Sequence, residues 1–368
     1  MRFKGMPSFF GTALALVLTL SMGGGAMALS LDPGMSARAL GMGGAFTAVA
    51  NDATAVYWNP AGLTQVRYVG ATPTGGLALT DYQALKSLQE IIQNGNLPTE
   101  PIHANVAASG LAGVVTGLAG ISLLVNGEGR VDYNGAQTVN YGGTDYSVPT
   151  EKVTAQWKQD NVLILTGAYP IAKPLGLASL AVGANVKLYN FGKLAGMELI
   201  PDPAATPKYY KERKYTAKAD GQSLDIGVLA KVADMARVGL MVRDINSPKI
   251  KWTGTWEDDK SPYSAEDQIK PTIVLGGAIH PPLLGLTVAA DMEQKTGESF
   301  KRVHFGAEQV ILGILAMRVG AYTNDGKGPT LTGGFGFGIG PVRADVGVAT
   351  DDFFTKSIAA SGGLTVKF

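Results

Sequence analysis

The 368-residue sequence contains no cysteine. That excludes a disulfide framework, a thiolate metal site, a cysteine nucleophile and a cysteine-linked lipid anchor. An excess of either charge is missing too: 31 basic residues face 30 acidic ones, a net of +1, so there is no electrostatic footprint for nucleic acid. Histidine is scarce, and His103, His280 and His304 are scattered without metal-ligand spacing, so no metal site is expected. With no Gly-x-Ser-x-Gly elbow and no evident Ser/His/Asp set, neither an enzyme nor a cofactor is expected. After residue 28, no stretch reaches the roughly 18 to 20 uninterrupted apolar residues that a transmembrane helix needs.

Glycine, by contrast, is abundant at 49 residues. In a helix interior each would cost about 1 kcal/mol, so strands and turns are the expected use. The N-terminus reads as an export signal: Arg2 and Lys4 precede an apolar run from Phe9 to Leu20, and Ala26-Met27-Ala28 has the small-x-small form of a cleavage site. Residues 1–28 are therefore expected to be a signal peptide, cut after Ala28.

From about Tyr68 onward, apolar residues recur at every second position, the period of a strand whose two faces meet different surroundings. In "VRADVGV", Val342, Ala344, Val346 and Val348 fall on one face, and Arg343, Asp345 and Gly347 on the other. "LTVAADMEQ" and "RVHFGAEQ" repeat the pattern. Turn residues between such runs place strands near 68–80, 103–110, 113–125, 153–169, 177–191, 222–232 and 236–246. A second set falls near 271–280, 285–292, 300–309, 314–322, 330–339, 341–349 and 356–368. About fourteen strands with mostly short connections predict an antiparallel up-and-down barrel. Residues 127–150 and 193–219, rich in Gly, Pro, Tyr and charge, read as long polar excursions. Asp81 to Gly95 reads as a short amphipathic helix, with Leu85, Leu88, Ile91 and Ile92 at helical spacing. Trp252 and Trp256 in "KWTGTWEDD" read as part of an interfacial girdle or loop.

A sandwich in water would also alternate, so the character of the polar faces must decide. Those faces carry Asp225, Arg237, Arg243, Asp291, Glu293, Arg302, Glu308, Arg318, Arg343 and Asp345, with Gly227, Gly239, Gly306, Gly320 and Gly347 between them. Arginine outnumbers lysine there, and guanidinium groups suit desolvated pairing with carboxylates, as in a crowded barrel lumen. The last strand, "SIAASGGLTVKF", ends the chain on Phe368, a C-terminal aromatic that resembles the assembly signal of bacterial outer-membrane barrels.

One stretch does not alternate. In "NDATAVYWNPAGL", Asn59-Pro60 imposes an extended or turn conformation, and Gly62 allows a close approach. Tyr57 and Trp58 can fill a cavity and still offer polar tips to it. Gly41, Gly43 and Gly44 in "GMGGAF" suit tight packing; a phosphate loop is excluded because Phe46 stands where the third Gly is needed and no Gly-Lys-Ser/Thr follows.

"ARALGMGGAFTAVANDATAVYWNPAGL" resembles the N-terminal hatch signature of the FadL/TodX-type and PorV/PorQ-type outer-membrane proteins, whose Asn-Pro-Ala-Gly motif corresponds to Asn59, Pro60, Ala61 and Gly62. The resemblance implies a fourteen-stranded barrel, residues 67–368, plugged by residues 29–66. It also implies a bacterial outer-membrane location, with membrane lipid and the barrel-assembly machinery as partners. Two functions stay open: passive uptake of hydrophobic, fatty-acid-like molecules through a hatch-gated barrel, or a non-transporting barrel that serves secretion or envelope organisation through protein partners.

Overall fold

The computed structural model describes residues 36–80, 99–141, 144–172, 178–202, 210–232, 235–281, 284–299, 301–324, 327–351 and 357–368. The expected signal peptide, residues 29–35 of the expected plug and the expected helix Asp81 to Gly95 lie outside them.

Among the described residues the strands are β1 Gly70–Ala71, β2 Thr74–Thr80, β3 Ile102–Val115, β4 Ala119–Tyr133, β5 Ala136–Tyr141, β6 Thr144–Pro149, β7 Val153–Ala172, β8 Ala178–Pro201, β9 Tyr210–Val232 and β10 Ala236–Arg243. They continue as β11 Lys249–Trp256, β12 Pro262–Gln268, β13 Thr272–Ile279, β14 Leu286–Lys295, β15 Lys301–Ile311, β16 Leu315–Asn324, β17 Lys327–Ile339, β18 Val342–Asp351 and β19 Ser357–Lys367. Fourteen of them close an antiparallel barrel in the order β2-β3-β4-β7-β8-β9-β10-β13-β14-β15-β16-β17-β18-β19, and β19 pairs back onto β2 from Ser357↔Thr80 to Gly363↔Thr74. The short β1 shares the register of β2 against β19, so the two form one stave interrupted at Pro73, which has no N–H to give to a ladder. β11 and β12 pair with each other and prolong β10 and β13, while β5 and β6 form a separate hairpin.

The alternation sorts the two faces as expected. Val288, Met292, Phe305, Met317, Val319 and Val346 are exposed, while their neighbours Asp291, His304, Glu308, Arg318 and Asp345 are buried. An apolar surface running round a closed sheet is one that water solvates poorly and hydrocarbon solvates well. The ten residues of β14, of β16 and of β18 match the 9 to 11 or so that a tilted strand needs to cross a bilayer.

Three expectations are corrected. Residues 127–150 and 193–219 are largely not excursions: β4 continues to Tyr133, β5 and β6 fill much of 136–149, β8 runs to Pro201 and β9 begins at Tyr210. Their alternation inverts because the outward face changes solvent along the strand: on β9, Leu224 and Ile226 are exposed, but further along the exposed residues are Gln222, Lys218 and Thr216, while Tyr215, Ala217 and Ala219 are buried. The boundary expected between 110 and 113 does not exist, for β3 runs through "SGLAGVV" and reverses at Thr116 to Leu118, where the Thr116 hydroxyl accepts hydrogen bonds from the N–H groups of Leu118 and Ala119. Finally, Trp252 and Trp256 lie within β11 rather than in a loop or a lipid-facing girdle, since Lys249, Lys251, Thr253 and Thr255 occupy its outward face.

Residues 36–66 lie inside the bore. They are short helical turns, α1 Ala37–Gly41, α2 Ala55–Trp58 and a 3-10 helix Pro60–Gln65, and Phe46, Val49, Val56, Trp58 and Leu63 form one buried cluster with inward residues of the wall such as Leu111, Val162, Ile164 and Ala289.

Candidate functional site

The local fold of this segment follows from its side chains. Ser36 caps α1 by accepting from the N–H of Ala39 at 3.1 Å, and Asp52 accepts from the N–H and the hydroxyl of Thr54 just ahead of α2. Asn59 is fully buried, with extended backbone (φ −166°, ψ 106°), as the residue before a proline should be. Its Oδ1 accepts from Ala61 N–H at 3.1 Å, capping the 3-10 helix that Pro60 begins. Its Nδ2 donates to the carbonyls of Thr47 and Val228, both at 3.0 Å, so one side chain ties the turn to its own segment and to β9. Tyr57 and Trp58 meet edge to face at 5.3 Å, and Phe46 meets Trp58 at 5.8 Å.

Inward glycines of the wall form the seat for this segment. A Cβ at Gly183 or Gly227 would overlap the Asn59–Ala61 turn, one at Gly239 would overlap Thr47, and one at Gly306 or Gly320 would overlap Met42 and Gly43. At Gly347 it would meet the Ala37 carbonyl. On the segment itself, Gly41 meets Gly334 backbone to backbone, and Gly43 and Gly44 hold φ of 63° and 78°, conformations that only glycine adopts without strain. Gly62 touches the Ala50 carbonyl, where any side chain would collide.

The ten charges expected in the lumen all face inward, in three groups. In the first, Glu308 receives Arg38 Nη2 at 2.7 Å and Arg318 Nε at 2.7 Å, Asp345 receives Arg318 Nη2 at 2.8 Å and Arg343 Nε at 3.1 Å, and Arg237 stands nearby. In the second, Glu293 pairs with Arg302 and lies 3.6 Å from Arg243, whose guanidinium covers the Tyr57 ring at 4.7 Å; Asp291 accepts from the N–H groups of Phe46 and Thr47 at 2.9 and 2.8 Å. In the third, Asp225 pairs with Lys187 at 2.8 Å, and Lys187 also reaches Asp244.

Sequence reasoning missed several partners. Arg38 bridges the segment to the wall, binding Glu308, Asn51 and Asp52 together. Burial by itself would favour its neutral form, but the Coulombic pull and hydrogen bonds of Glu308, aided by Asp52 and Asp345, outweigh this and raise its pKa above the usual arginine range. Asn185 donates to the Val56 carbonyl and to Asp225, and His304 meets the Gly43 carbonyl at 2.7 Å. The signal for Lys187, Asn185 and His304 was their place on inward-facing positions of alternating strands; Arg38 had none, since its partner is 270 residues away.

Beyond the apolar band, the inward faces of β9, β11 and β12 carry a second apolar cluster. Tyr215 stacks on Tyr263 at 4.1 Å, Trp256 meets both edge to face, and the Arg213 guanidinium lies 4.0 Å from the Trp256 ring. Trp252 donates its indole N–H to Asp267 at 3.0 Å. Among the described residues, no group of His, Asp and Glu side chains is arranged to hold a metal.

No protein-family profile and no curated protein sequence matches the chain. Solved structures do match it in fold. It is similar to the Ralstonia pickettii toluene transporter TbuX, at TM-score 0.61 and 14% identity over 92% of this chain and 100% of that one. The Pseudomonas putida toluene transporter TodX matches at TM-score 0.57 and 12% identity, over 93% and 100% of the two chains. A Pseudomonas aeruginosa FadL homologue matches at TM-score 0.55 and 14% identity, over 91% and 99%. The chain thus has the fold of the FadL/TodX-type barrels.

Proposed function

We propose that the protein is an outer-membrane barrel that admits hydrophobic, fatty-acid-like small molecules by passive diffusion, with residues 36–66 as its gate. The observation that carries this reading is the way the segment is held in the bore. Besides the apolar cluster it shares with the wall, it is held by individual side-chain ties, Arg38, Asn59, Asn185 and Asp291 among them, and by a set of glycine seats. Full withdrawal of the segment would expose that cluster at about 1.5 to 3 kcal/mol per large side chain, so the opening proposed is a local shift that breaks a few polar ties, each about 1 to 3 kcal/mol, and leaves the cluster packed. The toluene transporters that share the fold support hydrophobic small molecules as the coarser substrate class. On this reading the chain is exported by a signal peptide cut after Ala28, and the aromatic cluster near Tyr215 and Trp256 offers the first apolar surface to an entering molecule.

The density of the seats also favours a permanent stopper, in which the barrel serves protein partners in secretion or envelope organisation. One experiment separates the two. Cells whose outer membrane carries the protein should take up toluene faster than cells lacking it. Equal rates, with other envelope proteins co-purifying, would replace uptake by the partner-binding reading.

A further inference from the structure

Lysines on the strand extensions beyond the apolar band stand beside carboxylates: Lys152 with Glu198, Lys158 with Asp267, Lys214 with Glu212 and Lys249 with Glu266, at 2.8 to 3.0 Å. Lys193 on β8 and Lys218 on β9 break this pattern. Both are exposed on the outside of the wall, and among the described residues neither has a carboxylate partner. They are also direct cross-strand neighbours, Lys193↔Lys218, so two like charges meet on one face of the ladder. Such a pair destabilises the sheet by itself, and an anion between the two ammonium groups would reverse the sign of the contact. Asp220, on the same face of β9, leaves the patch net positive, since Lys251 is exposed on the same face of β11.

The surroundings of the pair are ordered along the barrel axis. Toward the membrane, Val186 on β8 and Leu224 and Ile226 on β9 are exposed apolar residues. The outward face of β9 turns polar at Gln222, and Lys218 lies four residues further, roughly 13 Å along the strand and about 10 Å along the axis of a tilted barrel. Lysine side chains can reach back over part of that distance, so the pair is at the level of lipid headgroups. Away from the membrane, the next cross-strand row is Ala195, Thr216 and Thr255. These small side chains, with Thr253 beside Lys218, leave a recess of about 370 Å³ that the two lysines border. Threonine offers a methyl and a hydroxyl group, which suits a sugar ring with its C–H faces and hydroxyl edges.

We propose that this recess binds the headgroup of a phosphorylated glycolipid in the outer leaflet. A phosphate lies between Lys193 and Lys218, its sugar sits against Thr216 and Thr255, and the acyl chains run along Leu224 and Ile226. The order acyl, phosphate, sugar repeats the order apolar, cationic, hydroxyl on the wall. The site is on the outside of the barrel, so it needs the long strands to face the cell exterior but needs neither the plug nor uptake.

The test is native mass spectrometry of the full chain in a neutral detergent, titrated with lipid A, a diphosphorylated glucosamine disaccharide lipid, and with phosphatidylglycerol, which has one phosphate and no sugar. Lipid A should bind about tenfold tighter. Lys193→Gln combined with Lys218→Gln should bring lipid A down to the level of phosphatidylglycerol, and Lys249→Gln, whose lysine is already paired with Glu266, should change nothing. The double variant should resist denaturant at least as well as the wild type, because it removes a like-charge contact. Inorganic phosphate should not displace the lipid. Equal affinity for the two lipids, lipid A affinity unchanged in the double variant, or displacement by inorganic phosphate would overturn the proposal. Because toluene passage is measured separately, either result leaves the uptake reading to its own experiment.

Discussion

Asn59 shows how much one side chain can fix. Three hydrogen bonds, to Ala61, Thr47 and Val228, converge on a buried carboxamide. Replacing it with alanine leaves two carbonyls and one N–H in a dry interior, at about 1 to 3 kcal/mol. Asn59→Ala should therefore keep a folded barrel yet speed hydrogen exchange across residues 45–62 by about 10- to 100-fold, read by mass spectrometry. Arg318 is the corresponding case for charge. Its removal strands Glu308 and Asp345 with fewer partners in the bore, so Arg318→Ala should destabilise the protein by about 3 to 5 kcal/mol in denaturant titration. At this scale the sequence was informative wherever alternation assigns a face, as at Glu308 and Arg343, and silent wherever a partner comes from a non-alternating segment. Arg38 is the clearest instance, because nothing in "SARAL" announces Glu308.

The N-terminal segment is the element on which the proposed gating rests. Pro60 sets the first turn of the 3-10 helix, and Gly62 abuts the Ala50 carbonyl. Gly62→Leu has no room for its side chain, and Pro60→Ala loses the fixed backbone angle, so both should loosen the segment and raise small-solute leakage in a liposome swelling assay. Leucine at residue 62 should have the larger effect, since it forces displacement where alanine at residue 60 only permits it. Leakage indistinguishable from wild type in both would argue against a gating role. The bend was legible from Asn-Pro and Gly alone, whereas the seats were not: Gly227 and Gly239 lie on alternating strands, but what they accommodate is fixed only by closure of the sheet. The extensions of β8, β9 and β11 were hidden for a different reason: past the apolar band the alternation persists but is inverted, with Tyr215, Ala217, Ile250 and Trp252 inward and Lys218, Lys249 and Lys251 outward, so charge and glycine in these runs read as loop.

For the whole molecule, the barrel was readable because fourteen staves repeat one constraint, an outward side chain suited to hydrocarbon and an inward one suited to a packed, paired interior. Closure depends on β19, whose terminal Phe368 is 77% exposed and donates its N–H to the Val69 carbonyl at 2.7 Å. Phe368→Ala should lower the yield of assembled, heat-modifiable barrel in the outer membrane while molecules that do assemble keep wild-type stability, seen by comparing band shift and denaturant midpoint. Hydrogen exchange of the protein in lipid nanodiscs shows whether residues 36–66 fold back into the bore of a lipid-embedded barrel. Peptides spanning residues 45–62 should be strongly protected, though less than those from β15, whose exchange needs the sheet to open; exchange there within seconds, as in an unfolded chain, would show that the segment does not occupy the bore.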